Sequence, residues 1–244
     1  MKESHGPLHQ FEIQELIPLS ISNIDISFTN SSLSMIISVI LCILVFLIST
    51  NKISIIPSRI QVLSELTYEF IANMVRDNVG VKGRAYFPFI FSLFLFILFG
   101  NVLGMVPYNF TFTSHIIVTF SLAAFIFIAV TLVGIIKHRI KFFTFFIPSG
   151  VPIALMPILI PIEVISYFVR PISLSLRLFA NMMAGHTMLK VFASFIILLG
   201  FLGWAPLLLV IILTGFEIMI AVLQAYVFTI LCCLYLNDAI NLHH

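Results

Sequence analysis

Between Pro152 and Leu199 the sequence is almost continuously apolar, and a second apolar run covers 206–236. As helices, at about 1.5 Å per residue, the first run is about 70 Å long and the second about 45 Å. The hydrocarbon core of a bilayer is only about 30 Å thick. Neither run fits one upright span. Pro157, Pro161 and Pro171 lie early in the first run. Two readings compete. Residues 152–199 are two spans broken at Pro171, or both runs are long helices crossing the membrane at a steep tilt. The stretch 169–172 has no polar turn, whereas Gly200, Gly203 and Pro206 mark a reversal. A tilted hairpin over 152–236 is the better reading, and the two-span alternative stays open at this point.

The rest of the chain agrees with a membrane setting. Of its 244 residues, 61% are hydrophobic and 9% charged, against about 25% charged in soluble domains. The net charge of +2, with no basic cluster interleaved with aromatics, excludes nucleic acid as a partner. The opening residues MKESHGPLHQFEIQEL lack the positive-then-apolar layout of a signal peptide, so the first span is expected to insert the chain. Cys42, Cys232 and Cys233 lie in apolar runs without a CxxC and read as small buried hydrophobes. No cofactor or metal site is expected.

The whole chain, 1–244, reads as one all-α membrane domain. Residues 1–32 form an N-terminal tail and 33–50 the first span. Residues 86–136 form a helical hairpin, with spans near 86–107 and 114–136. Over 58–79, Ile60, Leu63, Leu66, Phe70, Ile71, Met74 and Val75 recur at helical spacing among charged residues. This is an amphipathic helix suited to the membrane surface, with Pro57 near its start. Lys52, Arg59, Arg76, Lys82 and Arg84 crowd 51–85, and Lys137, Arg139 and Lys141 crowd 137–141, whereas 107–113 has no Lys or Arg. The positive-inside rule then puts both basic segments inside, the N-terminus outside and the C-terminus inside.

Arg177 is the costly residue. No other charged residue lies between Arg170 and Lys190. A guanidinium does not shed its proton, and placing one at the bilayer centre costs from about 2.5 to over 10 kcal/mol. The other ionisable residues of the long runs are Glu163, Arg170, His186, Lys190 and Glu217, with Asn181 and Gln224 as buried polar candidates. Arg170 and Lys190 are able to snorkel to an interface. Asn181 and Gln224 have an alternative role as helix–helix glue, and Arg177, Glu163 and Glu217 as a structural ion pair. Glu163, Arg170 and Arg177 are spaced by seven and Asn181 follows by four, so they share a helix face. Glu217, Ala221 and Gln224 share one on the next helix. Folding at Gly203 leaves His186 and Glu217 out of register by only about 4.5 Å along the axis, so they meet at one depth. Gln224 lies deeper, toward Arg177.

A His–carboxylate pair suits proton relay, because both groups exchange protons near neutral pH. A fixed guanidinium does not; it repels cations and interrupts the path. The pattern implies two half-pathways with Glu163 on the inner side, His186 and Glu217 on the outer side, and Arg177 between. A mobile carboxylate on a partner must then carry the proton across.

The segments RPISLSLRLFANMMAGH and FEIMIAVLQAYVFTILCCLYLNDAINLH, together with GNVLGMVPYNFTFTSH, closely resemble subunit a of F-type ATP synthases. The likeness covers nearly the whole chain and fits best the mitochondrial and related bacterial branch, with the His on the first long helix and the Glu on the second. The resemblance implies five membrane helices and one surface helix, the last two long and steeply tilted. It implies a stator subunit working beside a ring of small two-helix rotor subunits and a peripheral-stalk subunit, in a bacterial plasma membrane or a mitochondrial inner membrane. Arg177 is implied as the charge facing the ring carboxylate. His186 and Glu217 line the outer half-channel, Glu163 the inner one, and Asn181 and Gln224 neighbour the arginine.

Other classes fit less well. A proton-coupled secondary transporter usually shows internal repeats and paired broken helices, and no repeat is visible. A haem subunit needs paired His ligands in spans, but His186 is the only deep one. A purely structural assembly subunit leaves Arg177 unexplained.

Overall fold

The computed structural model describes residues 11–18, 20–21, 24–25, 27–51, 57–106, 109–139, 142 and 155–241. Lys52 and Lys141, used above for orientation, Pro152 at the expected hairpin start, the first ten residues and the final His243 and His244 lie outside them.

Among the described residues six long helices make the fold: α1 (Asn30–Asn51), α2 (Arg59–Val79), α3 (Phe87–Gly104), α4 (Ile116–His138), α5 (Met156–Leu199) and α6 (Trp204–Ile240). The segments Asn30–Thr50, Val81–Gly104, Ile116–His138 and Met156–Ile240 are long and apolar enough to cross a membrane. The fold is therefore that of an all-α membrane protein. The tail adds small antiparallel ladders, β1 (Glu15–Ile17) with β4 (Phe28–Thr29) and β2 (Ser20–Ile21) with β3 (Ile24–Asp25). Asn30 ties the tail to α1: its Nδ2 donates to Glu12 O at 3.1 Å, and its Oδ1 accepts from the Gln14 N–H at 3.2 Å.

Local chemistry sets the helix ends. Ser58 caps α2 by accepting from the Gln61 N–H at 3.3 Å. Gly80 ends α2 with φ 76, a left-handed conformation that glycine adopts without strain. Pro88 occupies the first turn of α3, where its missing N–H is not needed.

α5 is one helix of 44 residues that runs through Pro161 and Pro171, so the break at Pro171 is not realised. Each proline removes one backbone hydrogen bond. Pro171 is buried in the packing, where neighbouring helices support the chain, whereas Pro161 lies in the second turn of α5 and is exposed. A turn over Gly200–Gly203 then leads into α6, which has 37 residues. At about 1.5 Å per residue α5 is about 66 Å long and α6 about 55 Å. Helices of that length stay within a bilayer only when steeply inclined.

α6 is the central element, touching α2, α3, α4 and α5. Its Ala225, Phe228 and Cys233 are fully buried against Ile71 of α2, Ile90 and Ile97 of α3, Ile126 of α4 and Leu178 of α5. On α2 the expected apolar face divides. Ile71, Met74 and Val75 are buried with Val79, together with Gln61 and Ser64, while Ile60, Leu63, Leu66 and Phe70 remain exposed. The helix meets protein on one flank and leaves a second apolar strip for lipid.

Candidate functional site

The polar residues of the hairpin form cross-links at three levels. Near the turn, His186 Nδ1 lies 3.3 Å from Glu217 Oε1. Next, Asn181 Nδ2 donates to Gln224 Oε1 at 2.9 Å. Farthest from the turn, Arg170 Nη1 donates to Asp238 Oδ2 at 3.0 Å. The pairs are nearly symmetric about Gly200–Gly203, as antiparallel helices in one register require.

Glu217 is buried at 4% exposure. Its approach to His186 has ion-pair distance but not hydrogen-bond alignment, so Oε1 and Oε2 both remain buried acceptors without an aligned donor. The carboxylate rests against bare α5 backbone. A Cβ at Gly185 would stand 2.6 Å from Glu217 Oε1. The other ring nitrogen, His186 Nε2, lies 3.2 Å from Thr111 Oγ1. Thr111 precedes a short helical turn, Phe112–Ser114, that is buried between α3 and α4. Phe11 of the tail closes the site, with its ring edge-on to His186 at 6.5 Å between centroids.

His115 sits at the N-terminal end of α4, its ring stacked on Phe110 at 5.0 Å. Its Nε2 is buried without a partner, and burial lowers the ring below the usual imidazole range.

Arg177 takes no part in the cross-links. It is exposed, and among the described residues no carboxylate pairs with it. The α6 positions in register with it, Thr229 and Ile230, carry no charge, and the Thr229 hydroxyl donates to Ala225 O at 2.8 Å. Gln224, expected within its reach, is bonded to Asn181 instead. A spacing of seven drifts by about 20° per heptad on a straight helix. Glu163 and Arg170 are half-buried and Arg177 has turned out onto the open flank. There it shares an exposed ridge with Ser173, Ala180 and Ala184. Glu163 lies about 21 Å from Arg177 along the axis, on the side away from His186. Lys190 is exposed, consistent with snorkelling.

Arg170 is engaged within the hairpin. Beyond its bond to Asp238, its guanidinium stands over Tyr167 at 5.4 Å and Tyr235 at 5.1 Å. Tyr167 Oη and Thr131 Oγ1 of α4 are 2.7 Å apart. Sequence reasoning missed Asp238, Tyr167, Tyr235, Thr111 and Gly185. Asp238 fell past the expected helix end at 236. Gly185 carried a readable signal, a small residue beside His186 where two membrane helices pack closely. Asn101 of α3 was also missed. It is fully buried and donates from Nδ2 to Ala221 O at 3.1 Å, while its Oδ1 and Gln224 Nε2 stay unpaired.

Among the described residues no group of three His, Cys, Asp or Glu side chains is placed to hold a metal ion. The arrangement places a buried His–carboxylate pair on one side of the Arg177 guanidinium and a half-buried carboxylate on the other.

Residues 32–237 match the family model described as ATP synthase A chain. The chain is 56% identical over 241 residues to the ATP synthase subunit a of Pelagibacter ubique (strain HTCC1062), covering 98% of this chain and 99% of that protein. It is 54% identical over 240 residues to the ATP synthase subunit a of Rhodospirillum rubrum, covering 98% of this chain and 100% of that one.

Proposed function

The chain belongs to the ATP synthase A chain family, and from that premise we propose that it is the stationary membrane subunit of a rotary, proton-driven ATP synthase. It works within a complex of other subunits, against a ring of small two-helix rotor subunits and beside a peripheral-stalk subunit. The observation that carries this reading is the unpaired, exposed Arg177 on a helix whose Arg170, Asn181 and His186 are each engaged by a residue of α6. A charge left free on an open flank calls for a counter-charge from a partner.

Protons enter from outside past Glu217 and His186 and neutralise a ring carboxylate. Neutral, that carboxyl is able to turn into lipid, which resists the ionised form. After most of a revolution it meets the inner half-channel and releases its proton near Glu163. Arg177 holds the next carboxylate ionised by direct charge attraction and blocks a straight proton leak. Asn181 and Gln224 brace the hairpin beside it. Each proton brings about 2.3 kcal/mol per 100 mV of membrane potential. The two bacterial relatives favour a bacterial plasma membrane over a mitochondrial inner membrane, with the N-terminus outside and the C-terminus inside on the Lys and Arg distribution.

The test is Arg177→Ala in the assembled complex. The expected outcome is loss of ATP synthesis driven by a proton gradient, with the subunit still present in the membrane by immunoblot. Synthesis at the normal rate in that variant overturns the reading.

A further inference from the structure

The His186 ring meets Glu217 at one nitrogen and Thr111 at the other, and the two contacts are chemically unequal. A threonine hydroxyl has one proton to donate and accepts through its lone pairs. Thr111 Oγ1 has two neighbours competing for that proton: His186 Nε2 at 3.2 Å and the carbonyl oxygen of Gly104 at 3.2 Å. Gly104 is the last residue of α3, where helix carbonyls lose their intrahelical donors. Thr111 is 4% exposed, so its surroundings offer little solvent to satisfy that oxygen. A buried carbonyl left without a donor carries the full desolvation penalty. A neutral imidazole avoids any such penalty by switching tautomer.

We propose that Thr111 is a positioning residue that sets the tautomer of His186: its hydroxyl donates to Gly104 O and accepts from Nε2–H, leaving Nδ1 to share a proton with Glu217. The inference rests on the reading of His186 and Glu217 as the outer proton path. Two glycines hold the geometry. A Cβ at Gly104 would stand 2.6 Å from Thr111 Cγ2 and 2.7 Å from its Oγ1. One at Gly185 would stand 2.6 Å from Glu217 Oε1. The Thr111 carbonyl is pinned from the other side by the Ser114 hydroxyl at 2.6 Å and the Ser114 N–H at 3.2 Å.

The tautomer decides what the ring does. One proton moves between Glu217 Oε1 and His186 Nδ1, 3.3 Å apart, once the carboxyl swings into line with the ring nitrogen. On the carboxyl it leaves a neutral pair; on the ring it leaves a carboxylate and an imidazolium. Among the described residues the proton has no exit through Nε2, because the Thr111 hydroxyl leads to the Gly104 amide oxygen, which does not hold a proton near neutral pH. His186 therefore stores a proton beside Glu217 and does not conduct it across the ring. Traffic passes over Glu217, whose Oε2 is buried and free of partners among the described residues.

The test uses the complete ATP synthase complex in membranes, carrying 15N-labelled histidine, at an alkaline pH where the neutral ring dominates. The solid-state NMR difference between wild type and His186→Gln isolates this ring. Wild type and Thr111→Ser are expected to show the Nε2–H tautomer. Thr111→Val keeps the shape and removes the hydroxyl. It is expected to move the ring toward Nδ1–H and to slow ATP-driven proton pumping about tenfold, the scale of one hydrogen bond to a charged group. Thr111→Ser restores the rate. An Nδ1–H ring in wild type, or wild-type pumping in Thr111→Val, overturns the assignment. Unchanged pumping in both His186→Gln and Glu217→Gln overturns instead the proton path on which it rests. Should Thr111→Val fail to assemble, the wild-type tautomer alone decides.

Discussion

At residue 185 a single hydrogen in place of a methyl lets α5 come within reach of the Glu217 carboxylate. Gly185→Ala separates two effects of opposite sign. In a helix interior alanine is favoured over glycine by about 1 kcal/mol, so the helix itself gains. The new Cβ, 2.6 Å from Glu217 Oε1, pushes the carboxylate away from His186. The expected outcome is a chain that inserts and assembles normally but pumps protons ten- to a hundredfold more slowly, since displacement by about 1 Å costs up to about a hundredfold. ATP-driven acidification of inverted vesicles is the measurement. The residues of this site were unevenly legible in the sequence. His186 and Glu217 stood out because an ionisable group in an apolar run is costly, and their spacing about Gly203 anticipated the contact. Thr111 did not, because a threonine near a span end is ordinary and only the folded chain brings it beside a ring 75 positions away. The direction of Arg177 also escaped, since a spacing of seven marks a shared face but not which way that face has turned two heptads on.

The long hairpin is closed at its two ends by different means. At the turn, Gly200 takes φ 51 and Gly203 passes so near Ile196 that a Cβ would stand 2.7 Å from its carbonyl oxygen. At the far end, the Arg170–Asp238 pair and its tyrosine clamp join α5 to α6. The carbonyl at the turn is backbone and does not swing aside. Gly203→Ala is therefore expected to destabilise the hairpin by about 1–3 kcal/mol, as overpacking does. For a chain of this size each kcal/mol lowers Tm by about 2–4 °C, readable by thermal melting of the purified protein. An unshifted Tm counts against the close approach. At this scale the sequence was informative: apolar runs, the amphipathic period of α2 and the glycines of the turn all marked elements that the fold contains. The prolines were the ambiguous signal. Pro171 breaks a helix in water, but inside a packed bundle the freed carbonyl is tolerated and the helix continues.

The molecule as a whole buries its core around α6 and leaves large apolar side chains exposed on α1, α4, α5 and the early part of α6. Lipid accounts for much of this surface. The flank bearing Arg177 is different, because the acyl chains of lipid provide no counter-charge, and the proposed occupant is the rotor ring. Labelling checks this. In a background with Cys42, Cys232 and Cys233 replaced by alanine, Arg177→Cys is expected to react readily with a maleimide in the isolated, detergent-solubilised chain. In the assembled complex the reaction is expected to be at least about tenfold slower, the scale on which burial by a partner suppresses access. Equal rates in the two settings count against a partner on this flank.

Ser173, Ala180 and Ala184 leave α5 nearly bare on either side of the guanidinium. Packed helices usually lock by setting ridges of side chains into grooves, and each methylene lifted out of such a groove forfeits contact energy. A ridge without bulk has almost no relief along the direction of travel. To the proposed rotor ring such a ridge offers little resistance, and Arg177 and the neighbouring Leu176 are the large side chains standing in its way.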